Sequence, residues 1–308
     1  MFKKINNKST VGLIAPAWIP NKDRLEKGIQ YLTDHGFHIK LGKYVNNRHG
    51  YFAGTDQQRL DDLHLMYNDP EIEAIFCARG GWGGLRLLDK IDYKLIRNNP
   101  KPLIGYSDIT SIQLAIWSKC QIPSLSGPLV AVEMGNDLSP FTEKHLWEQL
   151  HNNNPKYTFN FSNTSTKFIT QGNATGILIG GCLSLISSLF GTPYCPNYEH
   201  AILFIEDIAE KSYKIDRYLA HLRQCGVFNK ISGLIIGNFI DCNDDNNNHS
   251  FTTEDIFHDY FSDADFPVIS DFPYGHSGIM MSMPVGVRAI IDSEKKEIYF
   301  DNPFNREK

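Results

Sequence analysis

Short apolar runs that alternate with amphipathic segments are the feature that most constrains the fold of this chain. The runs TVGLIA, EIEAIFCA and KPLIG each precede a segment with the apolar spacing of a helix. Thr55 is followed three residues later by Gln58, a capping box that marks the start of one such helix. Strands separated by helices of this length can pair side by side in parallel. The first half of the sequence therefore predicts an α/β domain with a mainly parallel, helix-covered sheet.

The composition changes after residue 150. Residues 151–173 are rich in Asn and Thr and lose the helical periodicity, which predicts a linker between an N-terminal domain over 1–150 and a C-terminal domain over 174–308. The second half carries five strand-like runs and two clear helices, around 182–190 and 212–225. These patterns predict a smaller C-terminal domain of mixed strands and helices.

Composition and charge narrow the class of protein. With 308 residues, 42% hydrophobic and 21% charged, the chain can bury a substantial core. Its net charge of −5 argues against nucleic acid as a partner. No apolar stretch reaches the roughly 18 residues of a membrane span, so we expect no membrane partner. The six cysteines lie far apart without a CxxC pair, which favours a cytoplasmic protein with reduced thiols.

The heptapeptide IGYSDIT, residues 104–110, joins an apolar run to an amphipathic one and places a single hydroxyl, that of Ser107, at the junction. A strand-to-helix elbow can expose a nucleophilic serine and direct helix N-terminal amides at an oxyanion. The generic signature has a second glycine where this chain has Ile109, so the match is partial. The alternative is that Ser107 or Asp108 only caps the helix.

A glycine-rich segment, CARGGWGGLR, follows the preceding strand at residues 77–86. It lacks the lysine of a P-loop and the GxGxxG spacing of a dinucleotide site, so it is a weak phosphate site. Gly80 or Gly81 could instead supply an oxyanion-hole amide beside the elbow. The alternative is a tight turn that needs glycine for its positive φ angles.

Two further positions carry suitable chemistry. Glu206 lies at the end of an apolar strand, and His276 follows Gly275 in an aromatic turn, where a fixed imidazole suits a general base. The alternatives are a solvated strand end and a loop histidine bonded to backbone. No HExxH or comparable spacing is present, so we expect no metal and no cofactor. Ser107, Glu206 and His276 could together form a triad.

Taken together, these stretches resemble the LD-carboxypeptidase family, the muramoyltetrapeptide carboxypeptidases, which have the microcin C self-immunity proteins as close relatives. The resemblance runs in family order from about residue 10 to residue 292. The matching pieces are GLIAPA, FAGTDQQRLDDL, ARGGWGGLRLLDKIDY, PLIGYSDITSIQ, SGPLV, GGCLSLISSLFGTPY, LFIEDIAEKSYKIDRYL, GLIIGNF, FPYGH and MPVG.

The resemblance implies a role for each candidate residue. Ser107 becomes the nucleophile, His276 the base and Glu206 the carboxylate that orients it. The oxyanion amides fall on Asp108 and Gly81. The implied fold is an N-terminal flavodoxin-like or glutamine amidotransferase-like domain with a smaller C-terminal domain, an active site between them, and a homodimer as the assembly.

The implied reaction is removal of terminal D-alanine from a murein tetrapeptide during cytoplasmic peptidoglycan recycling. We expect Arg79 to hold the terminal carboxylate of the substrate, with a structural Arg–Asp pair as the alternative. Trp82 is a further candidate for substrate contact. Many relatives have Gly-Gly-Asn-Leu where this chain has Cys182 in the asparagine position, which places that polar contact in doubt.

Two other functions stay open at this point. One is a hydrolase of the microcin-immunity type that cleaves an aminoacyl-nucleotide toxin, for which an aromatic such as Trp82 or Trp117 could stack on the base. The other is a non-catalytic peptide-binding protein of the same fold.

Overall fold

The computed structural model describes residue 2 and residues 5–151, 154–243 and 250–304. The strands are β1 (Thr10–Ile14), β2 (His38–Leu41), β3 (Ile72–Cys77), β4 (Leu103–Ile104), β5 (Ser124–Ser126), β6 (Lys156–Asn160), β7 (Lys167–Thr170), β8 (Asn173–Cys182), β9 (Ala201–Ile208), β10 (Gly233–Ile240), β11 (Val268–Ser270), β12 (Met283–Val285), β13 (Arg288–Asp292) and β14 (Glu297–Asp301). The helices are α1 (Lys22–Asp34), α2 (Asp56–Asn68), α3 (Tyr93–Asn98), α4 (Ile109–Cys120), α5 (Pro140–His151), α6 (Leu183–Leu189), α7 (Ser212–Gln224) and α8 (Thr253–Phe261).

The chain divides into two compact units. The first combines Met1–Pro155 with Met281–Gly286 and Asn302–Lys308, and the second combines Lys156–Met280 with Val287–Asp301. The predicted domains were continuous in sequence, whereas the first unit recovers two later segments. Strand β12 explains one of these segments, because it pairs with β5 in the sheet of the first unit.

The predicted linker is wrong over most of its length. Residues 152 and 153 lie outside the described part, but strands β6 and β7 occupy much of the remainder up to residue 173. In β6 the buried Tyr157 and Phe159 alternate with exposed residues, so the segment covers a core on one face. The Asn- and Thr-rich composition concealed this two-residue period.

The sheet of the first unit has the strand order β12-β5-β4-β3-β1-β2. Strands β1 to β5 are parallel and follow the order 2-1-3-4-5 of flavodoxin-like sheets, and β12 adds an antiparallel edge. Strands β1 and β3 are buried along nearly their whole length, as expected when helices cover both faces. The predicted parallel α/β fold is confirmed.

The sheet of the second unit has eight strands in the order β6-β14-β13-β8-β9-β10-β11-β7. Strands β8 to β11 are parallel, and the strands on either side of them pair in the antiparallel direction. The sheet therefore has the mixed character that the sequence predicted. Its parallel centre matters for the site, because parallel α/β sheets place ligands at the carboxyl ends of their strands.

One predicted helix is broken. The segment GLRLLDKIDYKLI was expected to be continuous, but it forms a short 3-10 helix at Gly84–Leu87 and then the separate helix α3. Asp92 begins α3 as its N-cap and accepts a hydrogen bond from the Leu95 amide, which stops the preceding turn from continuing. No helix of the described residues has the length and apolar character needed to cross a membrane.

Candidate active site

Ser107 lies at a strained elbow between β4 and α4. Its φ angle is 62°, a left-handed conformation that non-glycine residues seldom adopt outside special sites. No described residue of its own unit bonds to the Ser107 hydroxyl, and Asp108 at the N-cap position makes no side-chain capping bond. The capping alternative is therefore wrong, and the elbow presents a half-buried hydroxyl that no described residue of this unit holds.

The glycine loop after β3 lies directly against this hydroxyl. A methyl group placed on Gly80 would lie 2.8 Å from Cβ of Ser107 and 3.0 Å from its Oγ, so only glycine permits this approach. Gly81 has a φ angle of 102°, so the predicted tight turn is also present. The loop is therefore both a turn and one wall around the serine.

Two backbone amides at this wall have no local acceptor. The Gly80 carbonyl accepts a hydrogen bond from the Trp18 amide at 3.2 Å, so the N–H of the same trans peptide, that of Gly81, faces away from Trp18 N–H. Neither the Gly81 nor the Asp108 amide donates to a described residue of its unit. Free amides beside a serine hydroxyl are what an oxyanion hole needs.

The carboxylate of Asp108 anchors the same loop rather than its own helix. Its Oδ2 accepts a hydrogen bond of 2.6 Å from the Gly84 amide, at the start of the 3-10 helix. Burial raises the pKa of the Asp108 carboxyl to about 6, although this amide bond and the nearby Arg59 charge oppose the shift. The elbow and the glycine loop are thus joined through a buried polar contact.

In the second unit, His276 and Glu206 form a close pair. The imidazole Nδ1–H donates to Glu206 Oε2 at 2.7 Å, and Glu206 is fully buried. Gly275 permits this approach, since a methyl group there would lie 2.9 Å from the same carboxylate oxygen. The alternative of a solvated strand end is therefore wrong for Glu206, and a buried carboxylate holds the His276 ring. A carboxylate bonded to Nδ1 leaves Nε2 as the basic nitrogen of the ring.

Asn238 holds the turn that carries His276, a role that the sequence analysis did not assign. Its side-chain amide donates to Ser277 Oγ at 2.8 Å, and its backbone amide donates to the Tyr274 carbonyl at 2.8 Å. These two acceptors flank the histidine on either side. A polar Asn that ends the buried run GLIIG, within β10, is the local signal that could have identified it.

Arg79 and Trp82 lie at the rim of the glycine loop. Arg79 is half-buried, donates to the Ile19 carbonyl at 3.3 Å and lies 5.6 Å from the ring centroid of Trp18. No described carboxylate forms an ion pair with it, so the structural Arg–Asp alternative is wrong. Burial, with the nearby Arg24 charge, lowers the pKa of Arg79. The side chain of Trp82 is 61% exposed, so a large apolar surface faces solvent at this rim.

Cys182, the departure from the asparagine of relatives, retains a polar contact. Its thiol donates to Asp207 Oδ1 at 3.3 Å, while Asp207 Oδ2 accepts from the Ser184 amide at 2.8 Å. Burial, followed by the neighbouring Glu206 charge, raises the pKa of Asp207 to about 6. The cysteine therefore helps to join the ends of β8 and β9.

The structure brings the predicted site residues together in two groups. Ser107, Asp108 and Gly81 form one group in the first unit, with Arg79 and Trp82 nearby along the same loop. Glu206 and His276 form the other group in the second unit. Among the described residues no cluster of three metal-ligating side chains occurs. Sequence reasoning also missed Arg59, a buried charged residue within the helix face of α2.

Comparisons with known proteins match both halves of the chain. Residues 11–127 match the LD-carboxypeptidase N-terminal domain, and residues 175–291 match the LD-carboxypeptidase C-terminal domain. The chain is 36% identical to a probable murein peptide carboxypeptidase of Bacillus subtilis, over 96% of this chain and 92% of that protein. It is 31% identical to the murein tetrapeptide carboxypeptidase of Pseudomonas aeruginosa, over 92% of this chain and 94% of that one.

A solved structure extends the likeness to the fold. The microcin C7 self-immunity protein in its wild-type apo state superposes with a TM-score of 0.90 at 24% identity, with 99% of each chain covered. At that identity the likeness concerns the fold. The two domain matches and the relatives above 30% identity lead to one conclusion: the chain belongs to the LD-carboxypeptidase family.

Proposed function

We propose that this protein is a serine LD-carboxypeptidase that removes the terminal D-alanine from a murein tetrapeptide in peptidoglycan recycling. The observation that carries the proposal is the left-handed Ser107, whose hydroxyl lies against Gly80 and beside two amides that have no acceptor among the described residues of their unit. Strain of this kind is maintained where the geometry of a reacting group matters. Family membership and the names of the relatives supply the substrate class.

The mechanism follows from the chemistry of these groups. Ser107 Oγ attacks the carbonyl carbon of the residue before D-alanine as His276 Nε2 takes the hydroxyl proton. Glu206 stabilises the imidazolium through Nδ1–H, and the negative charge on the carbonyl oxygen is bound by the Asp108 and Gly81 amides. His276 then protonates the departing D-alanine nitrogen. A water molecule then gives a proton to His276 and attacks the acyl-enzyme carbonyl. Ser107 leaves with a proton from His276, and the tripeptide is released as a carboxylate.

Arg79 is the proposed grip for the terminal carboxylate of the substrate. A half-buried guanidinium that pairs with no carboxylate in the described part of the chain favours binding of an anion, and its planar fork matches a carboxylate. Arg79→Lys keeps the charge but loses the fork. We expect the KM for tetrapeptide to rise about tenfold, which corresponds to roughly 1.4 kcal/mol, with kcat little changed. An unchanged KM would contradict the role. Trp82 is proposed as an apolar contact for the peptide, testable as Trp82→Ala.

The first experiment follows the substrates and their products, D-alanine among them, by mass spectrometry. Free murein tetrapeptide, the UDP-linked precursor and an aminoacyl nucleotide are incubated with wild type, Ser107→Ala and Glu206→Gln. We expect wild type to release D-alanine from a murein substrate. Ser107→Ala should abolish this release, and Glu206→Gln should lower its rate strongly. Hydrolysis of the aminoacyl nucleotide alone would favour the immunity-type reaction. No labelling of Ser107 by a fluorophosphonate would favour a non-catalytic binding protein.

We also propose a cytoplasmic location and a homodimer, on the basis of the family resemblance and the widely spaced cysteines. Light scattering at micromolar concentration tests the assembly, and fractionation of cells tests the location. A monomer at every concentration would contradict the first.

A further inference from the structure

The segment FAGTDQQRLDDL is not used by the proposed reaction, although it carries a buried cation. Arg59 lies in α2 with 1% of its surface exposed. Its guanidinium lies 4.5 Å from the ring centroid of Phe52, and Nη2 donates to Asp56 Oδ1 at 2.6 Å. Burial lowers its pKa. An arginine is seldom buried this deeply unless its charge is paired and its N–H groups are hydrogen-bonded.

One nitrogen of Arg59 connects two separate loops. Nη1 donates to the Pro16 carbonyl at 2.6 Å and to the Gly83 carbonyl at 3.1 Å. Pro16 follows β1 and Gly83 follows β3, so the guanidinium joins the segments that leave two adjacent strands.

The two segments joined by Arg59 are those that hold Gly81. Two residues after Pro16, the Trp18 amide bonds to the Gly80 carbonyl, and the Trp18 side chain packs against Gly81. Two residues after Gly81, the Gly83 carbonyl bonds to Arg59. The Gly81 peptide therefore lies between two segments, one that follows Pro16 and one that ends at Gly83, and Arg59 Nη1 binds both segments.

Two charged side chains, a cation and a carboxylate, bind the backbone at Gly83 and Gly84, where the glycine loop ends. Arg59 binds the Gly83 carbonyl, while the Asp108 carboxylate accepts from the Gly84 amide at 2.6 Å. A methyl group on Gly83 would collide with Arg59 Nη1, so the guanidinium and the backbone fit closely. Asp56 orients Arg59 and is itself paired with Arg86, whose Nη2 lies 2.9 Å from Asp56 Oδ2.

We propose that Arg59 is a positioning residue of the oxyanion hole: by binding the Pro16 and Gly83 carbonyls it holds the Gly81 amide in place beside Ser107. The inference rests on the proposed function, in which that amide binds the oxyanion. Arg59 does not touch the substrate. Its effect belongs to the transition state, so its loss lowers kcat and leaves KM nearly unchanged.

The test compares Arg59→Lys with Lys101→Met, a matched control. Lys101 is another buried cation of the same unit, but it donates to carbonyls at the end of α2, those of Met66 and Tyr67, away from the glycine loop. We expect both variants to lower the melting temperature, because each disturbs a buried cation. We expect Arg59→Lys alone to lower kcat about 10- to 100-fold, because small displacements of a transition-state contact are costly.

The second readout is the rate at which a fluorophosphonate labels Ser107, measured below the melting temperature of each variant. The phosphonyl oxygen uses the same amides as the oxyanion, so labelling slows in Arg59→Lys and not in Lys101→Met. If Arg59→Lys does not fold, Asp56→Asn replaces it, and slower labelling is again expected. Wild-type labelling rates in a folded Arg59→Lys or Asp56→Asn variant would overturn the inference.

Failure of the inference and failure of the proposed function give different results. If wild type releases no D-alanine but is labelled at Ser107, the proposed function fails and the labelling rates still test Arg59. If wild type releases D-alanine and the Arg59→Lys variant does so with an unchanged kcat, the proposed function stands and the inference fails.

Discussion

At the scale of single residues, the decisive feature is the φ angle of Ser107. The heptapeptide around it was compatible with both a cap and a nucleophile, since serine and aspartate serve in both. The structure gives Ser107 a left-handed backbone and turns the Asp108 carboxylate toward Gly84 instead of its own helix. Torsion angles depend on what the neighbouring strand places beside the turn, so local sequence could name the residues and not their conformation.

Gly80→Ala tests the close approach of the glycine loop to Ser107. The added methyl group would lie 2.8 Å from Ser107 Cβ, so the loop or the serine must move. We expect kcat to decrease on the order of 10²-fold with KM little changed. Gly191→Ala is the control, because Gly191 has a φ angle of 81° but no atom near its added methyl group. Equal activity of the Gly80 variant and wild type would show that the approach is unimportant.

At the scale of elements, strongly periodic segments were predictable and weakly patterned ones were not. The strands β8, β9, β10, β11 and β13 and the helices α6 and α7 occur where their apolar patterns predicted them. Helix α5 and strand β12 were not anticipated. The three residues of β12 are too few to show a period, and their strand is created by pairing with β5.

Asp207 provides a pH-dependent test of the contact between β9 and the start of α6. Its raised pKa means that the folded state binds this proton more tightly than the unfolded chain. The stability that this proton contributes is therefore present below about pH 4 and is lost as the pH rises to about 6. In Asp207→Asn this loss disappears. The free energy of unfolding of the variant relative to wild type should rise by about 2 kcal/mol between pH 4 and pH 7.

Urea denaturation at several pH values measures this difference. Asp263→Asn is the control, because it makes the same chemical change at an exposed carboxylate of the same unit. A constant difference between Asp207→Asn and wild type across the range would contradict the raised pKa.

At the scale of the whole molecule, the two units are not two consecutive pieces of chain. Strand β12 completes the sheet of the first unit, and Gln149 of that unit donates to the Ser282 carbonyl at 2.6 Å. The neighbouring β13 belongs to the sheet of the second unit. Composition shows one change along the chain, at about residue 150. It cannot reveal that a short later segment, such as β12, belongs to the first unit.

Met283→Ala tests the return of β12 to the first unit. Met283 is fully buried, so its truncation should cost about 2–5 kcal/mol. Because β12 pairs with β5, native-state amide exchange should accelerate at Ser124–Ser126. Ile291→Ala, an equally buried change in β13, should instead accelerate exchange in β8 and β14. Faster exchange in β8 after the Met283 change, with β5 unaffected, would contradict the assignment of β12.

The alternation of strands and helices was enough to predict the class of the fold, because a parallel sheet requires helical crossovers of that length. Residue types and their order were enough to name Ser107, Glu206 and His276 as candidates. Only the structure showed three further features. These are the strained backbone of Ser107, the hydrogen bond between His276 and Glu206, and the hydrogen bonds from Arg59 to two separate loops. Each of these depends on atoms that are far apart in sequence, and a pattern read along the chain carries no information about which distant groups share a bond.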